Sequence, residues 1–378
     1  MKSLRHLSVS ITLSITLLAA VCFFSSANAQ YAPTAINVEV IASGLNHPWG
    51  MAFLPNGQLL VTERVGRLRI ISADGSISKP LKGVPAVLSQ GQGGLLDVVL
   101  DPEFSSNRII YLSYAEPQSN KAGTAVAKAK LVNTTLENVE VIFRQHPRTE
   151  GANHFGSQLV FAPDGHLFIT LGDRFDYMDE AQQLDNHLGK VVRIKRDGSA
   201  PRNNPFAKNS EAMPEIWSYG HRHIQGAAIH PESGKLWIHE HGPRGGDEIN
   251  IPEPGKNYGW PKASYGIHYW LAPIKDEHAE QGFEEPIYYW TPSIAPSGML
   301  FYTGKLFPEW RNNLFIGALA GRHLVRLVIK DNKIVREEKL LENSARIRDV
   351  AQGPEGALYL LTDENNGKLL KLTRSSTN

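Results

Sequence analysis

One short pattern recurs six times along this chain and constrains its fold more than any other feature. An apolar pair leads into a Pro-Asx-Gly-like turn, and an apolar run follows. It reads Met51-Ala52-Phe53-Leu54-Pro55-Asn56-Gly57, then Leu59-Leu60-Val61-Thr62. It returns at residues 98–104 and 109–113, and most clearly as Leu159-Val160-Phe161-Ala162-Pro163-Asp164-Gly165 followed by Leu167-Phe168-Ile169-Thr170. Weaker copies span 227–238 and 350–361, and a divergent one runs from Gly298 to Gly304 and on through Leu314-Phe315-Ile316. Pro presets φ for the turn, and Asx or Gly tolerates its tight second half. The flanking runs, rich in β-branched, Leu and aromatic residues, read as strands. No long stripe of helical period is present, so the chain is expected to be all-β. Six copies over about 348 residues give roughly 58 residues each. That length suits a four-stranded antiparallel blade with its loops, and predicts a six-bladed β-propeller. An array of two or three β-sandwiches is the alternative, but no Pro/Ser-rich linker divides the chain.

Residues 257–297 break the repeat. They carry Tyr258, Trp260, Tyr265, Tyr269, Trp270, Phe283, Tyr288, Tyr289 and Trp290, too aromatic for a disordered loop. They either pack one propeller face shut or wall a pocket for a flat or sugar-like ligand.

The first residues read as an export signal. Lys2 and Arg5 precede an apolar stretch from Leu7 to Phe24, and Ala27-Asn28-Ala29 offers a cleavage site before Gln30. The expected organisation is a signal peptide over 1–29 and one propeller over 30–378, in the periplasm or secreted. The single cysteine, Cys22, leaves with the signal, so the mature chain has no disulfide, thiolate metal site or cysteine nucleophile. Net charge is +1 for the whole chain and about −1 without Lys2 and Arg5, which argues for neither nucleic acid nor an anionic membrane. No later apolar run reaches membrane-spanning length.

Several enzyme classes lack their motifs: there is no phosphate loop, HExxH helix or nucleophile elbow. Four segments could carry chemistry. His154, in Gly151-Ala152-Asn153-His154-Phe155-Gly156-Ser157, stands at a strand entrance, either as a neutral base at a propeller mouth or as a turn cap. Tyr219-Gly220-His221-Arg222-His223-Ile224-Gln225 concentrates hydrogen-bonding side chains, with Arg222 able to hold a carboxylate in bidentate fashion, or is a solvated loop. The glycine-rich, acidic run 240–248 offers hard oxygen ligands that suit Ca²⁺, without EF-hand spacing. Arg346-Ile347-Arg348 puts two guanidiniums on one strand face, which calls for an anion between them: a local acid such as Asp349 or Glu342, or a polycarboxylate ligand.

The ordered set Gly91-Gln92-Gly93-Gly94-Leu95-Leu96, Asn153-His154, Gly220-His221-Arg222, Gly242-Pro243, Asp247-Glu248-Ile249-Asn250, Asn257-Tyr258-Gly259-Trp260 and Arg346-Ile347-Arg348-Asp349-Val350 resembles the soluble PQQ-dependent glucose and aldose sugar dehydrogenases from about Leu45 to Leu372. The resemblance implies a six-bladed propeller with PQQ on one face. It implies that His154 removes the anomeric hydroxyl proton of an aldose while hydride passes to the quinone, giving a lactone. Gln92 and Arg222 match positions that hold cofactor and activated oxygens; His223, Gln225, Tyr269, Arg346 and Arg348 match its cofactor-binding surroundings. Gly242 and Pro243 match carbonyl ligands of a catalytic Ca²⁺, and Glu248 and Tyr258 match a further calcium site. Two positions depart from the pattern. His223 follows the arginine where the family often has Asn, and Ala320 stands where it often has Lys, with Arg322 as the candidate replacement. The expected partners are an aldose and an artificial or respiratory electron acceptor, with the chain as monomer or weak dimer. A calcium-dependent sugar lactonase and a non-catalytic ligand-binding propeller are the alternative functions.

Overall fold

The computed structural model describes residues 34–331 and 333–375. Residues 1–29, with the expected signal, lie outside them. The described strands form six antiparallel sheets. Each sheet has an innermost strand: Pro48–Phe53, Leu95–Leu100, Gly156–Phe161, Ile224–Ile229, Pro296–Phe301 and Ile347–Gln352. Consecutive innermost strands touch, and the last touches the first, so the sheets close into a six-bladed propeller, numbered here blades 1 to 6. All six sequence copies coincide with an innermost strand, its turn and the second strand of a blade.

Five sheets have four strands. Blade 1 has three, with its outer edge finished by an Ile71–Ile77 bridge and by hydrogen bonds from Ser78 and Leu81 to Ile70 and Leu68. Blade 6 takes its outer strand from the start of the propeller: Ile36–Leu45 pairs with Gly367–Arg374. The propeller forms within one compact unit that begins at Ile36.

A blade buries both faces, because each is packed between two others. The second strands Leu59–Glu63, Leu167–Leu171 and Leu358–Thr362 are therefore buried at every position, which explains unbroken apolar runs where a one-sided sheet would alternate. Among the described residues, six core clusters lie one between each pair of neighbouring blades, and a smaller seventh joins Trp49, Leu96, Ala115, Ala122 and Phe155. Polar ties stitch the same seams. Thr62 Oγ1 donates to Leu96 O at 2.5 Å, Ser113 Oγ to Ser157 O at 2.6 Å and Thr170 Oγ1 to Ile224 O at 3.3 Å. His239 Nε2 bonds Ser297 O, Ser297 Oγ donates to Ile347 O at 2.6 Å, and Asp349 Oδ2 accepts from Met51 N–H at 3.0 Å, completing the ring.

Every innermost strand also carries a register shift near its start. A β-bulge re-aims the side chain at the extra residue. Trp49, Gln225 and Arg348 sit at these shifts in blades 1, 4 and 6, and all three line one cavity at the ring's mouth.

Candidate active site

The Pro-Asx-Gly turns occupy one face of the ring. The opposite face is where innermost strands begin and second strands end, and the site assembles there. His154 lies two residues before the innermost strand of blade 3, and Asp173 two residues after its second strand. Their side chains meet, His154 Nδ1 to Asp173 Oδ1, at 2.7 Å.

His154 is held on every side. It adopts a left-handed backbone (φ 51°), and its N–H donates to Gln92 Oε1 at 2.7 Å. Its ring stacks on His223 (centroids 4.6 Å apart) and meets the edge of Phe175 at 5.1 Å. Burial pushes the imidazole below its usual pKa; Asp173 opposes this, and Arg222 and Arg174 reinforce it. Asp173 Oδ1 also accepts from Phe175 N–H, and Oδ2 from the Trp260 indole N–H, both at 2.8 Å. Burial alone would raise the carboxyl, but His154 and Arg222 hold it below its usual value. A carboxylate at Nδ1 fixes the tautomer that carries hydrogen there and leaves the Nε2 lone pair free to take a proton. Behind the dyad, buried Arg174 donates to the carbonyls of Asn153 and Gly151 and stacks 3.7 Å from the Phe155 ring, clamping the loop that bears His154.

Arg222 gathers the next layer. Its Nη1 donates to the carbonyls of His241 (3.0 Å) and Gly242 (2.9 Å), its Nη2 to the Tyr269 hydroxyl (3.3 Å), and its guanidinium lies 5.2 Å from the Trp260 ring. Its own carbonyl accepts from Asp173 N–H at 2.8 Å.

Two cavities flank the dyad. The larger, about 400 Å³, is lined by Gln92, His223, Gln225, Arg346 and Arg348, and also by His47, Trp49, Arg64, His241, Ala295, Leu319 and Asp363. Three guanidiniums thus face one carboxylate. Asp363 Oδ2 accepts from Arg346 (3.2 Å) and Arg348 (3.1 Å), and Oδ1 meets His47 Nδ1 at 2.9 Å. Burial would raise Asp363, but Arg348, His47, Arg64 and Arg346 hold it well below the carboxylate range. The anion between the paired arginines is therefore Asp363, not Asp349 or Glu342, and Arg348 reaches it from a bulge, not from a regular strand face. Arg64 Nε, Arg348 Nε and His223 Nδ1 are buried with no partner among the described residues. Unpaired buried polar atoms are costly, and three on one cavity define a place for a polar, anionic ligand.

The smaller cavity, about 230 Å³, is lined by Asp173, Arg222, Pro243, Trp260, Tyr269 and Trp270, with Phe175, Asp176, Met178 and His268. The aromatic excursion of residues 257–297 supplies one wall of it, the pocket-wall alternative of the two.

Other expected positions fall apart from these cavities. Arg322 is exposed, donates to Ser344 O at 3.1 Å and lines neither cavity. Glu248 and Tyr258 line a separate space of about 10 Å³ beside Glu240, room for one small ion or water. The Tyr258 hydroxyl is engaged outside this space, donating to Ile251 O and accepting from Glu253 N–H. Burial and neighbouring Glu240 push the Glu248 carboxyl well above its usual value. The acidic loop's Asp247 has another task, accepting from the N–H groups of Gly242, Ile294 and Ala295. Sequence reading overlooked Asp173, Arg64, Trp49, His47 and Asp363. His47 stands just before an innermost strand, Trp49 is the second residue of the same strand, and Arg64, Asp173 and Asp363 follow the ends of second strands; that placement was the available signal.

Fold and site together define a β-propeller with a carboxylate-backed histidine at the mouth of its ring, between a cavity rich in arginines and an aromatic one. The chain belongs to the glucose/sorbosone dehydrogenase family, whose model matches residues 45–371. It is 48% identical over 349 residues to the aldose sugar dehydrogenase YliI of Escherichia coli, covering 90% of this chain and 94% of that one. A crystal structure of a glucose dehydrogenase, 51% identical, superposes with a TM-score of 0.87 over 90% of this chain and all of the other (100%). The PQQ-bound form of aldose sugar dehydrogenase from Streptomyces coelicolor, 27% identical, gives 0.75 over 90% and 99%.

Proposed function

We propose that this protein is an exported, PQQ- and calcium-dependent aldose sugar dehydrogenase that oxidises C1 of a cyclic sugar to a lactone. The observation that carries this reading is the His154–Asp173 dyad beside a cavity with three arginines and three unpartnered buried N–H or ring nitrogen atoms. A volume near 400 Å³ lies in the range of small-ligand sites, about 300–1,000 Å³. Bound PQQ would supply a two-electron quinone acceptor, and a neighbouring calcium ion would polarise it as a Lewis acid.

The chain's own residues do the rest. Arg346, Arg348 and Arg64 would hold the cofactor's carboxylates. His154 Nε2 would take the C1 hydroxyl proton while Asp173 stabilises the imidazolium that forms. Gln92 keeps His154 in its left-handed conformation, Arg222 would present a cation to oxygens in the smaller cavity, and Trp260, Tyr269 and Trp270 offer apolar faces to a pyranose ring. Calcium would take the carbonyl oxygens of Gly242 and Pro243. Gly242 O already accepts from Arg222, so its second lone pair is the one a cation would use. A second ion beside Glu240, Glu248 and Tyr258 would relieve the carboxylate repulsion that raises Glu248.

The test uses protein recovered from the periplasm, whose N-terminus is expected at Gln30. PQQ and Ca²⁺ are titrated in, followed by absorbance and by dye reduction with mono- and disaccharides. Bound PQQ without reduction by any aldose would overturn the dehydrogenase reading. Sugar-lactone hydrolysis without PQQ would make the protein a lactonase, and ligand binding without PQQ binding a non-catalytic propeller. His154→Ala is expected to bind PQQ and lose about 10²–10⁴-fold in turnover; unchanged turnover would remove His154 from the mechanism.

A further inference from the structure

Trp260 is where the aromatic excursion reaches the histidine. It is 6% exposed and fixed through its backbone: its N–H donates to Gly220 O at 2.9 Å, and its carbonyl accepts from Gln182 Nε2 at 2.7 Å. Its indole N–H therefore meets Asp173 Oδ2 at 2.8 Å from a rigid support. The other oxygen, Oδ1, serves His154 Nδ1 and Phe175 N–H. A carboxylate pinned through both oxygens cannot turn, and each N–H neutralises part of its charge.

We propose that Trp260 is a positioning residue for proton abstraction, whose indole N–H locks Asp173 and so sets both the orientation and the basicity of His154. The proposal rests on His154 being the base. Among the described residues, the ionisable groups that act on His154 are Asp173, Arg222, Arg174, the stacked His223 and His241; Phe175 and Gln92, which also touch it, are uncharged. Asp173 is the one anion among them, so whatever tempers its charge controls how readily the imidazole takes a proton. With the indole N–H removed, the carboxylate acts at full strength, and the imidazolium is favoured at higher pH.

The experiment compares wild type, Trp260→Phe, Asp173→Asn and the double variant. Phe keeps an aromatic face toward Arg222 and the smaller cavity and deletes only the donor. The first readout is the NMR titration of the His154 ring in protein without PQQ, so it stands apart from whether any sugar is oxidised. Trp260→Phe is expected to raise the His154 pKa by roughly one unit; no shift, or a downward one, overturns the proposal. The second readout is the pH profile of kcat/KM with PQQ bound. The acid limb should move up by the same amount, with kcat reduced and sugar KM nearly unchanged. A KM effect alone would mean that Trp260 serves only as cavity wall. In the Asp173→Asn background, Trp260→Phe should add little, because the donor's charged acceptor is gone. Fully additive losses would overturn the proposal. Should Trp260→Phe misfold, benzothienylalanine at position 260 keeps both rings, lacks the N–H, and carries the same expectations.

Discussion

At the scale of single residues, the larger cavity is organised by like charges brought together. Arg346 and Arg348 each donate to Asp363 Oδ2, which places their nitrogens within about 6 Å of one another. At an effective dielectric near 20, that repulsion is about 3 kcal/mol, less than the roughly 5 kcal/mol by which each arginine is attracted to the shared carboxylate. With Arg64 on the same cavity, three guanidiniums still face one carboxylate, and a polycarboxylate ligand would neutralise the excess positive charge. Arg348→Ala is accordingly expected to weaken PQQ binding roughly 30-fold or more, since losing one partner of a buried charged pair costs about 2 kcal/mol or above. Arg322→Ala should change the Kd by no more than about twofold, because its guanidinium points to Ser344 O. Isothermal titration with PQQ and Ca²⁺ checks both. The base gives a second expectation at this scale. As proposed, His154 would act as a neutral imidazole, and burial pushes its pKa below the usual value. The kcat/KM profile should therefore stay level as pH falls to about 6.5 and decline only below that, as the imidazole takes a proton and loses its lone pair. A decline beginning well above pH 6.5 would contradict this environment for His154.

At the scale of elements, two segments of blade 3 place the dyad by touching each other. A Cβ on Gly172 would run into the His154 carbonyl, so the end of the second strand and the start of the innermost strand approach as only glycine permits. Gly172→Ala should push the His154 loop away from Asp173. The expected result is a loss of about 10²-fold in kcat with smaller change in sugar KM, and a destabilisation of roughly 1–3 kcal/mol measured in denaturant. Retained kcat would show that the loop relaxes without moving the base. The elements themselves were readable beforehand. Each Pro-Asx-Gly turn is a local event, determined by a few consecutive φ/ψ preferences, and all six coincide with an innermost-to-second-strand hairpin. The bulges that aim Trp49, Gln225 and Arg348 were not readable, because a register shift depends on which strand lies alongside.

At the scale of the whole molecule, stability depends on closing the ring. Ile36–Leu45 completes blade 6 by pairing with Gly367–Arg374, and Ala42 and Leu45 join the core between blades 6 and 1. Deleting residues 34–45 should cost roughly 4 kcal/mol from lost apolar burial and leave Gly367–Arg374 as an open edge. Calorimetry should record a lower Tm, and light scattering should record self-association; an unchanged monomeric protein would mean that the closure is dispensable.

The sequence by itself determined the number of blades and the all-β character, because turn preferences and strand-like runs are local and survive without tertiary context. His154, Gln92, Arg222, Arg346 and Arg348 were nominated through the ordered motifs that carry the family resemblance. What only the tertiary structure decided is partnership. Asp173 stands behind His154, Trp260 arrives from 87 residues away to hold Asp173, Asp363 takes the place expected of Asp349 or Glu342, and Arg322 turns away. Those contacts join the ends of separate strands and, for Trp260, a distant loop, and their strength depends on burial. A linear sequence does not carry burial until the ring has closed.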